Sequence, residues 1–191
     1  MSAATDALAR VVIVGRPNVG KSSLFNRIFG ERRAIVEDEP GTTRDRVEAD
    51  VEWQDVRFRL IDTGGYETDA ENVYAPLIVE QIKTAMAGAA VVIFCLDARD
   101  GLTASDYDMA EVVRRANRPT IVVATKADNE RREMIGVAEA SALGLGDPMP
   151  ISAMHDINVG LMLDEVIKLI PHDTTLVESD RVRLAIIGRP N

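Results

Sequence analysis

The chain has 191 residues, of which 46% are hydrophobic and 28% are charged, proportions typical of a folded domain with a substantial core. Its formal net charge of −9 opposes attraction to phosphate backbones, so we expect no direct binding of this chain to nucleic acid. No apolar stretch approaches the roughly 20 residues of a membrane span. The N-terminal residues do not resemble a signal peptide, and the single Cys95 excludes a disulfide framework. These features predict a cytoplasmic protein without a membrane partner.

Six segments predict the strands of a sheet. Four of them contain unbroken apolar runs, typical of parallel strands buried on both faces, whereas the segment from residue 46 alternates and fits an edge strand. We expect this edge strand to run antiparallel into the next one through a tight turn near Gln54 and Asp55. The segments are RVVIV from residue 10, RVEADVEW from 46, VRFRLID from 56, AAVVIFCLD from 89, TIVVAT from 120 and PMPIS near 150.

Helices are predicted between these strands. Apolar residues recur at helical spacing over 109–116 and over 163–170, and SSLFNRIFG predicts a short helix stopped by Gly30. Strands that alternate with helices indicate an α/β domain, with a mostly parallel six-stranded sheet flanked by helices. Pro171 ends the last helix, so we place this domain at residues 1–171 and an acidic linker at 172–183.

The first strand runs into GRPNVGKS at residues 15–22, which fits the phosphate-loop pattern G-x-x-x-x-G-K-[ST]. Its glycines let backbone N–H groups approach phosphate oxygens, and the following helix turns its positive end toward them. In this pattern Lys21 reaches the β- and γ-phosphates and Ser22 ligates Mg²⁺. The motif predicts a nucleoside triphosphate site, and on its own it leaves ATPases, small-molecule kinases and GTPases open.

Two further motifs follow buried strands and narrow this choice. In DTGG at residues 62–65, Asp62 could hold Mg²⁺ through water, and the backbone N–H of Gly65 could sense the γ-phosphate. In TKAD at residues 125–128, the carboxylate of Asp128 can accept both N–H donors of the guanine edge. Adenine offers an acceptor where guanine has N1–H, so a buried carboxylate there favours guanine.

These motifs, together with PGTTRD at 40–45 and ISA at 151–153, resemble the translation-factor-related GTPases in order and spacing. The end of the chain, RLAIIGRPN, also repeats the RVVIVGRPN near its start, which indicates whole domains in tandem. This arrangement is similar to the Der (EngA) family of bacterial ribosome-assembly GTPases, in which two GTPase domains precede a KH-like domain. The resemblance implies a P-loop NTPase fold of the Ras-like GTPase type. It makes residues 1–171 the first GTPase domain and residues 184–191 the truncated first strand of a second.

The same resemblance implies an activity, cofactors and partners. GTP or GDP would bind with Mg²⁺, and slow hydrolysis of GTP would act as a switch in assembly of the large (50S) ribosomal subunit. Ribosome contact would require the full-length protein, with the second GTPase domain and the KH-like domain that this chain lacks. Two alternatives remain open, namely a GTP-dependent interaction module that does not hydrolyse GTP and a P-loop phosphotransferase.

Residue roles carry over from the family by matching positions. Thr43, with Thr42 as the alternative, would close on Mg²⁺ and the γ-phosphate. Ser152 and Ala153 would support the guanine base, and Lys126 would lie along its face. The implied metal ligands are Ser22, Thr43 and Asp62, and the implied catalytic residues are Asn18, Lys21, Thr43 and Gly65. The implied nucleotide-binding residues are Gly15, Arg16, Pro17, Asn18, Val19, Gly20, Lys21, Ser22, Ser23, Asp62, Thr63, Gly64, Gly65, Tyr66, Thr125, Lys126, Asp128, Ser152 and Ala153.

Two positions depart from related GTPases. Thr125 replaces the asparagine that usually begins the base motif, so we expect binding to survive but the tether from this residue to the phosphate loop to be lost. Tyr66 stands where Ras-type enzymes place the glutamine that orients the attacking water. Related GTPases with an apolar residue there use a potassium ion, held partly by the asparagine of the phosphate loop. Asn18 occupies that position, although shaping a turn would explain this residue equally well.

Overall fold

The computed structural model describes residues 8–30, 47–64 and 75–171. Within these ranges it contains a six-stranded sheet with the strand order β2-β3-β1-β4-β5-β6. The β2 strand runs antiparallel to β3, and the remaining neighbours pair in parallel. The predicted mostly parallel α/β sheet is therefore confirmed. The strands are β1 (Ala9–Val14), β2 (Val47–Trp53), β3 (Val56–Asp62), β4 (Val91–Asp97), β5 (Thr120–Thr125) and β6 (Met149–Pro150).

Burial along the strands follows the sequence pattern. Every residue of β4 is buried, as are nearly all residues of β1 and β5, because helices cover both faces of these central strands. The edge strand β2 buries Ala49 and Val51 on one face. Its turn into β3 has Gln54 at φ 49° and Asp55 at φ 66°, both left-handed, as a two-residue hairpin turn requires. The predicted edge hairpin is confirmed, and β6 is shorter than its predicted segment.

Five helices lie in the described residues: α1 (Lys21–Ile28), α2 (Ala75–Ala87), α3 (Ala104–Ala116), α4 (Glu130–Ser141) and α5 (Val159–Leu169). The helices α1, α3 and α5 were predicted, whereas α2 and α4 were not. The α2 helix does carry a helical signal, since its buried Ile82, Ala85 and Met86 are spaced to share one face. The α4 helix buries the small residues Gly136 and Ala140, which give a weak pattern. None of these helices is long and apolar enough to cross a membrane.

The sheet separates two apolar cores. On one face, helices α1 and α5 pack residues such as Leu24 and Met162 against β1 and its neighbours. On the other, α2 and α3 contribute Met86 and Val113 to a second cluster. Cys95 of β4 is fully buried in the first core, and this burial raises the pKa of its thiol to about 12. With the sheet fixed from both sides, the loops after the parallel strands are held side by side at the carboxyl edge of the sheet.

Several predicted features lie outside the described residues. They are the acidic linker at 172–183, the partial strand at 184–191 and the site residues Thr43, Gly65 and Tyr66. The division of the chain into domains stays a prediction for this reason.

Candidate nucleotide-binding site

A cavity of about 580 Å³ lies at the carboxyl edge of the sheet, a volume within the range of small-molecule sites. It is bounded by the loop after β1, the start of α1, the residues after β3 and the residue after β5. Among the described residues, those that line it all belong to the set predicted to bind nucleotide. These residues are Pro17, Asn18, Gly20, Lys21, Ser22, Ser23, Gly64 and Lys126.

The phosphate loop is held by its own backbone and by the ammonium group of Lys21. Gly15 has φ 152°, and a Cβ atom at this position would lie 2.5 Å from the carbonyl oxygen of Cys95, so the loop can pass β4 only with glycine here. Lys21 is 3% exposed, and its Nζ donates to the carbonyl oxygens of Gly15 (2.9 Å) and Arg16 (2.7 Å). The loop therefore curves around a positive charge that lines the cavity.

Ser22 and Asp62, whose side-chain oxygens could ligate a metal ion, lie beside Gly64. Asp62 is 2% exposed and accepts a hydrogen bond of 2.8 Å from the Gly64 N–H. A Cβ atom on Gly64 would lie 2.9 Å from Ser22 Oγ and 3.1 Å from Asp62 Oδ1. The two oxygen atoms are therefore close to each other beside this glycine. Hard oxygen donors of this kind suit Mg²⁺, which commonly takes one or two protein ligands and completes its shell with water and substrate phosphates. Among the described residues, no group of three or more His, Cys, Asp or Glu is placed so that it could hold a metal ion.

The predicted base-reading carboxylate, Asp128, is fixed by two neighbours. Its Oδ1 accepts a hydrogen bond of 2.9 Å from Ser152 Oγ, and its Oδ2 accepts one of 2.6 Å from Arg99 Nη2. The Arg99 guanidinium, with a smaller contribution from the Ser152 hydroxyl, holds the pKa of the Asp128 carboxyl below its usual value. Asp128 is therefore ionised at neutral pH, which is the state that accepts hydrogen bonds from guanine.

Lys126 links the phosphate loop to the end of strand β4. It lies directly after β5 in the left-handed region, with φ 58°, and its side chain lines the cavity. Its Nζ donates to the carbonyl oxygen of Asn18 (2.7 Å) in the phosphate loop. It also pairs with the carboxylate of Asp97, whose side chain is 1% exposed. These two contacts hold the Lys126 ammonium group at the wall of the cavity, and its place along a base stays a prediction.

The tether expected to be lost at Thr125 is present. Thr125 is 4% exposed, and its Oγ1 contacts the carbonyl oxygen of Val19 in the phosphate loop. The same hydroxyl also lies 2.9 Å from the carbonyl oxygen of Leu96 in β4. The expectation was wrong because the packing of β5 beside the loop brings the short hydroxyl within reach.

Other predicted residues have side chains that serve the fold. Arg16 Nε donates to Asp106 Oδ2 in α3 (3.0 Å), and Thr63 Oγ1 donates to the carbonyl oxygen of Ile13 (2.8 Å). Val19 is fully buried. Contacts of Arg16 and Val19 with a nucleotide would therefore come from their backbone. Asn18 lines the cavity with φ 63°, a conformation that asparagine tolerates well, so the structure supports its turn-shaping role.

Two residues near the base end are absent from the predicted set. The carboxylate of Asp97 accepts a hydrogen bond of 2.8 Å from the Arg99 N–H and also pairs with Lys126. Arg99 in turn contacts Asp128, as described above. Asp97 is the last residue of the buried strand β4 and Arg99 follows it by two residues, and this place at the carboxyl end of a strand is the sequence signal that could have indicated them.

The chain matches a known protein family over most of the described region. Residues 10–126 match the family described as "50S ribosome-binding GTPase". The chain is 48% identical over 181 residues to the GTPase Der of Moorella thermoacetica, an alignment that covers 95% of this chain and 41% of that protein. It is 49% identical over 182 residues to the GTPase Der of Desulforamulus reducens, with the same shares covered. The chain thus spans less than half the length of these relatives.

Solved structures show the same fold. A crystal structure of Era in complex with MgGDPNP and nucleotides 1506–1542 of 16S ribosomal RNA superposes with a TM-score of 0.71 at 28% identity, over 92% of this chain and 61% of that chain. A single-residue variant of Aquifex aeolicus Era bound to GDP·AlF4⁻ gives a TM-score of 0.70 at 27% identity, over 94% and 62% of the two chains. The family resemblance drawn from the motifs and the predicted Ras-like P-loop fold are both confirmed.

Proposed function

Because the chain belongs to the family of 50S ribosome-binding GTPases, we propose that it binds GTP and hydrolyses it to GDP and phosphate. Within a longer protein, this cycle would act as a switch in assembly of the large ribosomal subunit. One observation carries the nucleotide part of the proposal. The phosphate loop and Lys126 line one cavity, Asp128 lies two residues beyond Lys126, and Thr125 and Lys126 bond to Val19 and Asn18 of the phosphate loop.

The phosphate end has the groups that a triphosphate needs. Lys21 supplies a positive charge held inside the loop. The first residues of α1 line the cavity, and the backbone N–H groups of a helix N-terminus favour bound phosphate. Ser22 and Asp62 are the described residues that would hold Mg²⁺. A bound Mg²⁺ would neutralise charge on the β- and γ-phosphates. The further roles proposed for Thr43 and Gly65 concern residues outside the described ranges.

The base end supports selection of guanine over adenine. An ionised carboxylate accepts hydrogen bonds and donates none, so Asp128 matches the N1–H and N2–H groups of guanine. Adenine would place a nitrogen acceptor against it and leave the carboxylate without a donor. Ser152 orients Asp128, and the neighbouring Ala153 would contact the base.

Turnover is tested by phosphate release with GTP and Mg²⁺, in the wild type and in Lys21→Ala. We expect slow multiple turnover in the wild type and its loss in the variant, because Lys21 is the cation beside the reacting phosphates. Lys168→Ala is a matched control, since Lys168 is an exposed lysine paired with Glu165 on α5, and it should keep the wild-type rate. GTP binding without phosphate release would favour the non-hydrolysing interaction module. Competition by ATP on equal terms would instead favour a P-loop phosphotransferase.

The proposed potassium dependence is separable from the turn-shaping role of Asn18. Asn18→Gly keeps access to the left-handed backbone at φ 63° but removes the side-chain amide. If this amide helps to hold K⁺, the variant should still bind GDP and should lose any stimulation by K⁺ over Na⁺ at equal ionic strength. Equal turnover of the wild type in the two salts would remove the potassium proposal and leave Asn18 as a turn residue.

The ribosomal part of the proposal rests on the relatives. The matched family is described as ribosome-binding, and Era has been crystallised with 16S ribosomal RNA. The test is cosedimentation of the full-length protein with isolated 50S subunits in GDP or a non-hydrolysable GTP analogue. Binding that depends on the GTP analogue supports a switch, and binding that ignores the nucleotide contradicts it.

A further inference from the structure

The guanidinium of Arg99 forms an ion pair with the carboxylate of Asp128, the group that is proposed to bind guanine. Arg99 Nη2 lies 2.6 Å from Asp128 Oδ2, and Asp128 is 16% exposed while Arg99 is 45% exposed. The two residues are neighbours because β4 and β5 pair in parallel and each side chain comes from the loop after its strand. The contact orients Asp128, and it also fills one of the two carboxylate oxygens that a base would need.

The chemistry of the two groups is alike. A guanidinium presents N–H donors on nitrogens that share one carbon. The N1–H and N2–H groups of guanine are likewise donors on two nitrogens that share the C2 carbon. A carboxylate that is shaped to accept from one of these groups can therefore accept from the other. Arg99 adds a full positive charge, which strengthens its contact with Asp128.

The surrounding geometry fixes the base of Arg99 and leaves its tip accessible. The Arg99 N–H donates to Asp97 Oδ1 at 2.8 Å, and Asp97 itself is nearly fully buried. The cavity reaches Lys126 but does not include Asp128 among its lining residues. The backbone of the loop is thus anchored, whereas the half-exposed side chain can leave Asp128 for solvent or for Asp97 and Asp100, the other acids beside it.

From this arrangement we propose that Arg99 is an internal competitor of the guanine base for Asp128 and sets the affinity for guanine nucleotides. The inference rests on the proposed guanine specificity. Binding of the base displaces the Arg99 guanidinium from Asp128 Oδ2, and the lost ion pair lowers the net affinity. An exposed pair of this kind is worth up to about fivefold in an equilibrium constant.

The test measures the dissociation constants of GDP and ADP by calorimetry in Mg²⁺ at fixed ionic strength. We expect Arg99→Ala to bind GDP roughly two- to fivefold more tightly than the wild type and to bind ADP no more tightly. The matched control is Arg59→Ala, because Arg59 has the same 45% exposure and pairs with Asp50 away from the cavity. It should leave both constants unchanged. Arg99→Gln removes the charge but keeps a polar side chain. This variant replaces Arg99→Ala in the experiment if the alanine variant does not fold.

The outcomes are distinct. Weaker or unchanged GDP binding in the Arg99 variants overturns the competitor role, and weaker binding would make Arg99 a clamp that orients Asp128 under the base. An equal gain in affinity for GDP and ADP also overturns the competitor role, because loss of the Arg99 charge would then explain the gain without any contact with guanine. If the wild type binds GDP no better than ADP, guanine specificity fails instead.

Discussion

The two ends of the proposed nucleotide site differ in how the chain builds them. The phosphate end comes from one continuous segment, residues 15–22, whose lysine bonds to carbonyl groups of the same loop. The base end combines Arg99, Asp128 and Ser152, which follow three different strands and meet through side-chain contacts. A site made from one segment is fixed by backbone geometry, whereas a site made from three loops depends on how those loops pack. The base end is therefore where affinity and specificity can change without loss of the fold.

The largest effect that we expect from this comparison is at the base end, on replacing Asp128→Asn. This change removes the acceptor of two hydrogen bonds to guanine and leaves the phosphate end intact. We expect a loss of about 4 kcal/mol, or about a thousandfold, in GDP affinity, measured by calorimetry. The amide nitrogen of asparagine can donate to the C2 carbonyl of xanthine, so XDP should bind more tightly than GDP.

Asp50→Asn is the control for this experiment. Asp50 is also a carboxylate paired with an arginine, Arg59, but it lies on the β2–β3 hairpin. Its replacement should leave GDP binding unchanged. An Asp128→Asn protein that keeps the wild-type preference for GDP would place guanine recognition elsewhere.

The next effect is at the phosphate end, on replacing Gly15→Ala. The new Cβ atom would lie 2.5 Å from the Cys95 carbonyl oxygen, and the backbone at φ 152° disfavours any side chain. Strain and overpacking together should cost roughly 3 kcal/mol in the free energy of unfolding, measured by urea denaturation, and GDP binding should be lost.

Gly144→Ala separates the two contributions to this cost. Gly144 also has a positive φ of 63°, but no atom lies within 4 Å of its would-be Cβ. It should lose only about 1 kcal/mol from backbone strain and keep GDP binding. Equal losses in the two variants would mean that the contact with Cys95 does not hold the phosphate loop in place.

The smallest effect should come from the link between the two ends, on replacing Thr125→Val. Valine keeps the shape of the side chain but removes the hydroxyl that contacts the carbonyl oxygens of Val19 and Leu96. We expect a loss of about 1 kcal/mol in the free energy of unfolding and weaker GDP binding. Thr125→Ser retains the hydroxyl and should restore binding. If Thr125→Val binds GDP as well as the wild type, the tether does not couple β5 to the phosphate loop.

The sequence alone determined the features that depend on neighbouring residues. The buried strands, the β2–β3 hairpin and the phosphate loop each follow from a local pattern, because burial on both faces, turn geometry and phosphate contact each require particular residues at fixed spacing. The α4 helix escaped prediction because its buried positions are small. The motif DTGG likewise fixed Asp62 near the phosphate loop by its place after a strand.

Only the tertiary structure decided the contacts between loops that are distant in the chain. The bond from Thr125 to the phosphate loop and the ion pair of Arg99 with Asp128 both arise because parallel pairing of β1, β4 and β5 places the loops after these strands side by side. The Arg16 side chain, which is predicted to bind nucleotide, turns to Asp106 in α3 for the same reason. Side-chain direction at such positions depends on which charged partner lies nearest in space. Spacing along a sequence does not contain that information.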